Sequence, residues 1–292
     1  MKTPYAKYMK DELTDQLVYH ALAAREKNEH NRALLVHLSA QERSHYEFWQ
    51  SLAPEAKIAP NRFMLAAVIA MRVVFGVTFT VKFLELHEED VIEEYKAVLP
   101  SLAPQYQTRL TAIIEDESEH EKSLMNEFKE KRVAYVGFIA LGLADAIVEI
   151  TGVHAGFLGV TGSTLIAGIS GVIVGFAAAI SMGSAAYLQA KQDPEKSAIA
   201  SAFVTGVSYL GSVILLALPY FFIRTMLTAF ATSTTVGALL LAAFTFYGAV
   251  LFDRKFLREF GEAFGLMMGT ALATYILGVI VSGVFHVNQN SF

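Results

Sequence analysis

The chain contains no cysteine. That absence excludes disulfides, iron–sulfur clusters and zinc sites built on thiolate. It leaves open the hard and borderline metals that carboxylate and imidazole bind. A long basic run is also missing, and with a net charge of −5 nucleic acid is not an expected partner. Met1–Glu12 is polar and has no apolar h-region, so no cleaved leader is expected and the N-terminal part should stay in the cytoplasm. The most uneven shortage is charge. Of the 51 Asp, Glu, Lys and Arg, 38 lie in residues 1–132 and only 13 in residues 133–292. Hydrophobic residues make up 54% of the chain and the mean hydropathy is +0.41, too apolar for an ordinary soluble protein. Residues 1–132 therefore read as a soluble-type domain and 133–292 as a membrane-type domain.

Thr3-Pro4 marks a helix start that runs through Lys27. Asn28–Asn31 reads as a polar turn, with Asn31 placed to cap a second helix, Arg32–Leu52. Pro54 and Pro60 bracket a loop. Asn61 is placed to cap a long apolar helix reaching Leu99, with a break expected near Gly76. Pro100–Pro104 is a turn, and a fourth helix is expected over Gln105–Arg132. One long connection among short loops is the layout of a ferritin-like four-helix bundle. Phe63–Leu84 is apolar enough to resemble a membrane span, but a span there would put the two halves of the constellation described next on opposite sides of the membrane. A buried bundle helix, or one at a dimer or membrane interface, is the better reading.

Five apolar segments follow: Val133–Val160, Leu165–Leu188, Ile199–Ile223, Thr234–Phe252 and Phe264–Val287. Each is long enough to cross a hydrocarbon core of about 30 Å. The fold class expected is all-α, a ferritin-like bundle followed by a five-helix transmembrane bundle. Lys129, Lys131 and Arg132 precede the first span, Lys191 and Lys196 follow the second, and Arg254, Lys255 and Arg258 follow the fourth; the opposite loops carry only Arg224. The positive-inside rule then puts the N-terminus in the cytoplasm and the C-terminus outside, in a multi-pass protein of the cell inner membrane surrounded by lipid.

Two Glu-x-x-His pairs occur in the first domain, Glu42–His45 and Glu117–His120. On a helix, residues i and i+3 point the same way, so each pair offers a carboxylate and an imidazole to one metal. A di-iron bundle needs two such pairs and one further glutamate from each of two other helices. Glu12 stands 30 residues before Glu42, and Glu88 stands 29 before Glu117; each has a tyrosine seven residues later, Tyr19 or Tyr95. The two halves read as a repeat. Glu85, one turn before Glu88, is a further candidate ligand. The two tyrosines read as core hydrogen-bonding groups, and His20, His30, His37 and His87 as surface or structural residues.

Through Glu12, Tyr19, Glu42, His45, Glu88, Tyr95, Glu117 and His120 the first domain resembles the rubrerythrin and ferritin-like family. That resemblance implies a di-iron carboxylate site that oxidises Fe(II) or reacts with peroxide. Rubrerythrins carry a separate four-cysteine iron centre, which this chain cannot build. In the membrane domain, Asp145 and Glu149 lie one turn apart in the first span, and an acid there usually faces a pathway or a partner. Met182 in the second span is a thioether candidate. The segment Leu141–Ala146, with Ser181-Met182-Gly183, resembles the vacuolar iron transporter family. The resemblance implies five spans, a homodimer, and Fe(II) moved out of the cytosol in exchange for protons, with Asp145 and Met182 on the ion path. Ala185 and Ala186 replace that family's usual Gly-Glu pair. The short connection Gln189–Ala198 leaves no room for the metal-collecting domain of its plant members, so the first domain is expected to take over that role. The pairing of domains is similar to the membrane-bound ferritin branch. The function expected is export of Fe2+, with Mn2+ as the other ion the ligands accept; the rival reading is a membrane-anchored di-iron oxidase or peroxidase.

Overall fold

The computed structural model describes residues 4–86, 88–122, 128 and 133–285; side chains at 88, 89 and 119–122 lie outside that description. The protein is all-α, with no strand among the described residues. It divides into two compact units, Met1–Lys131 and Arg132–Phe292.

The first unit holds α1 (Tyr5–Ala23), α2 (Glu29–Leu52), α3 (Arg62–Phe75), α4 (Val77–Glu85), α5 (Glu88–Val98) and α6 (Pro104–Lys122). The first helix stops at Ala23, short of Lys27. Asn28, not Asn31, caps the second: its side chain accepts from the backbone N–H of His30 and Asn31, and Asn31 is itself buried within the helix. Asn61 does cap α3, accepting from the N–H of Met64. The long apolar stretch after it is not one helix. Gly76 takes φ 92°, a conformation that costs little only without a Cβ, and it parts α3 from α4. The halves span 14 and 9 residues, at about 1.5 Å per residue too short to cross about 30 Å of hydrocarbon. Lys129, Lys131 and Arg132, expected to extend the last helix of this unit, lie outside the described residues.

Core positions recur every three or four residues, as an amphipathic helix requires. On α1 the buried stripe includes Tyr8, Glu12, Tyr19 and Leu22; on α2 it includes Leu35, Leu38, Glu42, His45 and Trp49. Apolar clusters lie at both ends of the stripe. Val18, Leu22, Leu35 and Leu38 form part of one; Tyr8, Phe48, Trp49, Tyr95 and Leu110 form part of the other. The acids and His45 occupy the stripe between them, so packing at both ends fixes the height at which they meet.

The second unit is built from α7 (Val133–Val160), α8 (Thr164–Ala190), α9 (Ala198–Phe222), α10 (Met226–Phe252) and α11 (Phe256–Phe285). All five are long and apolar enough to cross a membrane. The shortest has 25 residues, about 37 Å at about 1.5 Å per residue. The last two begin earlier than hydropathy alone indicates, at Met226 and Phe256. Helix α7 is central and packs on the other four. Without a strong hydrophobic drive between helices in lipid, small residues at the seams allow the close approach that holds them together. A Cβ at Gly278 of α11 would stand 2.2 Å from the carbonyl oxygen of Gly156 on α7, and one at Gly159 would stand 2.7 Å from the carbonyl oxygen of Tyr275. Gly278→Ala should therefore part α7 from α11 and cost about 1–3 kcal/mol, the usual range for overpacking. Gly269→Ala, where a Cβ meets nothing within 4 Å, is the control. Thermal unfolding in detergent measures both, and equal melting temperatures would show that this seam does not hold the bundle.

Candidate metal centre

Four buried side chains converge in the first unit: Glu12 from α1, Glu42 and His45 from α2, and Glu117 from α6. Each offers a ligand atom within 4.8 Å of those of the others. His45 Nδ1 stands 2.8 Å from Glu117 Oε1, 3.6 Å from Glu12 Oε2 and 3.8 Å from Glu42 Oε2. On its far side, Nε2 is 3.6 Å from Asp116 Oδ2. A carboxylate behind an imidazole orients the ring and raises its basicity. Glu42 and His45 share a face because they lie three apart on one helix; Glu117 reaches them only through tertiary packing.

The expected ligands Glu88 and His120 carry side chains outside the described residues. Glu85 is placed: it is buried on α4 and accepts a hydrogen bond of 2.5 Å from the Tyr19 hydroxyl. Its second oxygen meets no hydrogen-bond donor among the described residues. Tyr95 on α5 donates to Glu12. The tyrosines thus act across the repeat, with the first half's Tyr19 holding an acid of the second half and Tyr95 holding one of the first. His20, His30 and His37 are exposed; His87 lies outside the described residues.

Asp15 was not among the residues singled out by spacing. Burial, with Glu12, Asp11, Glu117 and Glu85 nearby, pushes its carboxyl well above the usual range. One turn after Glu12 on α1, it breaks no pattern and makes none, so the sequence carries no separate signal for it. Glu42 is raised too, first by burial and then by the charge of Glu117. Burial opposes protonation of His45, but the neighbouring carboxylates of Glu117, Glu12 and Glu42 outweigh it and hold the imidazolium to much higher pH. Tyr95 is likewise raised, by burial and by Glu12.

This is more negative charge than one imidazole can balance in a buried space, and buried charge is stable when it is paired or binds a metal. Three carboxylates and an imidazole suit Fe(II), Mn(II) or Zn(II) in donor type. Glu12, Glu42, His45 and Glu117 would hold the ion; Glu85, which accepts from Tyr19, is not among the four that converge. In the metal-free protein Glu42, Asp15 and His45 all have raised values in the fold. Their contribution to stability is present below their ordinary values and is lost as pH rises through the raised ones. Metal-free protein should melt at a higher temperature in mildly acid than in alkaline buffer, and added Mn(II) should raise melting most in alkaline buffer, where ligands shed protons readily. A melting temperature indifferent to both would mean these groups do not titrate with folding.

In the membrane unit, Asp145 and Glu149 of α7 line a cleft of about 570 Å³ with Ala178, Ser181 and Met182 of α8. The two acids and Met182 are thereby brought to one place. Tyr209 of α9, buried, donates a hydrogen bond to Glu149; it is a functional candidate that no spacing announced.

Fold and sites together define a class: a helical membrane protein with a buried carboxylate–histidine cluster able to hold metal. No family model matches the chain, and neither a curated protein nor a solved structure is significantly similar to it.

Proposed function

We propose that this protein exports Fe(II), with Mn(II) as the other ion its ligands accept, from the cytoplasm in exchange for protons. The observation that carries the reading is the cleft in the membrane helices, where Asp145, Glu149 and Met182 meet. A carboxylate there replaces part of an ion's hydration, and a thioether adds a softer ligand. The resemblance of Leu141–Ala146 and Ser181–Gly183 to the vacuolar iron transporter family supports it, as does the likeness of the first unit to rubrerythrins. The first unit is read as the cytoplasmic collector: its buried acids and His45 bind the same ion that the membrane unit carries. A resident pair of irons there would also supply one-electron chemistry for ferrous oxidation. Tyr19 and Tyr95 keep Glu85 and Glu12 oriented, and Asp116 keeps the His45 ring in place.

An anchor for an oxidase would need no cleft with two acids and a methionine, so the anchored-enzyme reading explains less of the chain. The native assembly is proposed to be a homodimer in the inner membrane, N-terminus in the cytoplasm. Purified protein in liposomes should carry Fe(II) across the bilayer, faster when a proton gradient runs against the metal. Liposomes that take up no more Fe(II) than protein-free ones, with or without the gradient, would rule out transport.

A further inference from the structure

Helix α7 carries a second titratable group that the metal cleft does not use. His154 is 0% exposed, and neither ring nitrogen meets a hydrogen-bond partner among the described residues. It follows Asp145 by nine residues; at about 100° per residue that is about two and a half turns, so it faces away from Asp145 and the cleft.

Its surroundings are built for it. A Cβ at Gly171 of α8 would stand 2.4 Å from His154 Nε2, and one at Gly168 would stand 2.9 Å from Cβ of Tyr220. These two glycines, almost one turn apart, leave a niche into which α7 and α9 each send a polar ring. The rings of His154 and Tyr220 lie 4.0 Å apart. The Tyr220 hydroxyl is buried with no partner among the described residues, and so is Thr151 Oγ1, one turn before His154. Three helices converge on side chains whose polar atoms find no partner among the described residues. Polar groups buried this way are unfavourable, and ionisable residues inside membrane helices mark ion or proton routes.

Between a divalent cation and a proton, the lining fits the proton. A neutral imidazole has one N–H and one nitrogen lone pair. Around His154, α8 contributes Gly171 and α9 contributes Tyr220, while Asp145 and Glu149 of its own helix line the cleft with α8. Tyr220 is the titratable group whose ring packs on it. A single nitrogen without carboxylates is a poor seat for a divalent cation, whereas a proton needs only the lone pair. The Tyr220 ring can stabilise the resulting imidazolium. The site lies near the end of α7 and α9 and the start of α8, the end of the bundle opposite Lys191 and Lys196.

We propose that His154 is a proton-binding site of the membrane unit, where the ion exchanged for metal is taken up; this rests on the export reading. The lone pair accepts H⁺ from water and later returns it to water, with no other bond made or broken. Two measurements on the full chain in liposomes test it. The first is Fe(II) flux with and without an opposing proton gradient, for wild type, His154→Phe and His154→Gln. Both variants should lose the acceleration the gradient gives wild type. The second is nitrogen NMR of isotope-labelled histidine, with the His154 resonance assigned by its absence in His154→Phe. It should move between neutral and protonated positions as the buffer is acidified. Variants that keep the wild-type gradient response overturn the proposal. If wild type carries no Fe(II), the export reading fails, and the titration alone judges His154: a resonance that stays neutral at every pH overturns the site, and one that titrates upholds it.

Discussion

Asp145→Asn is expected to abolish Fe(II) flux while the protein still folds and its first unit still loads metal. The substitution keeps the shape of the side chain and removes its charge. A dehydrated divalent cation in a membrane loses its strongest compensating interaction when that charge goes, and neutral amide oxygen does not replace it. Glu149, one turn on, is engaged by Tyr209 and so is the less free of the two acids. Asp145→Ala should behave like Asp145→Asn. Met182→Ala should reduce flux less, and more for Fe(II) than for Mn(II), because thioether sulfur is a soft ligand. Flux into liposomes, with metal content of the purified protein measured alongside, separates transport from binding. Wild-type flux in Asp145→Asn would move the route away from this cleft and restore the anchored-enzyme reading.

His45→Ala should have the largest effect on metal held by the first unit. Removing an outer partner of a metal ligand typically costs about 10–100-fold in affinity, so loss of a ligand should cost more than about 100-fold. His45 touches Glu12, Glu42, Glu117 and Asp116 together, and its removal leaves buried carboxylates facing one another with no cation between them. Metal-free His45→Ala should therefore also be less stable than wild type at neutral pH. Asp116→Ala, which leaves every proposed ligand in place, should weaken binding by about 10–100-fold only. Titration of full-length protein with Mn(II) in detergent gives the affinities. Unchanged affinity in His45→Ala would remove the cluster from consideration as a metal site.

The sequence by itself determined what is local or compositional. Helical class follows from apolar periodicity, and five membrane-length helices follow from runs of apolar residues that need no tertiary context to be seen. The shared face of Glu42 and His45 follows from a spacing of three on a helix. Boundaries were less legible because capping is a competition between neighbours: Asn28 and Asn31 are both competent caps, and Asn31 is drawn into the core instead. Only the tertiary structure decided which groups from different helices meet. It brought Glu117 to His45 across more than seventy residues of chain, paired Tyr19 with Glu85 and Tyr95 with Glu12, and drew Asp15 toward the acids. It also set His154 against Gly171. No periodic signal marks these pairings, because helix crossing and side-chain volume create them: where two small residues let backbones approach, a polar ring comes to rest in a niche that neither helix specifies alone.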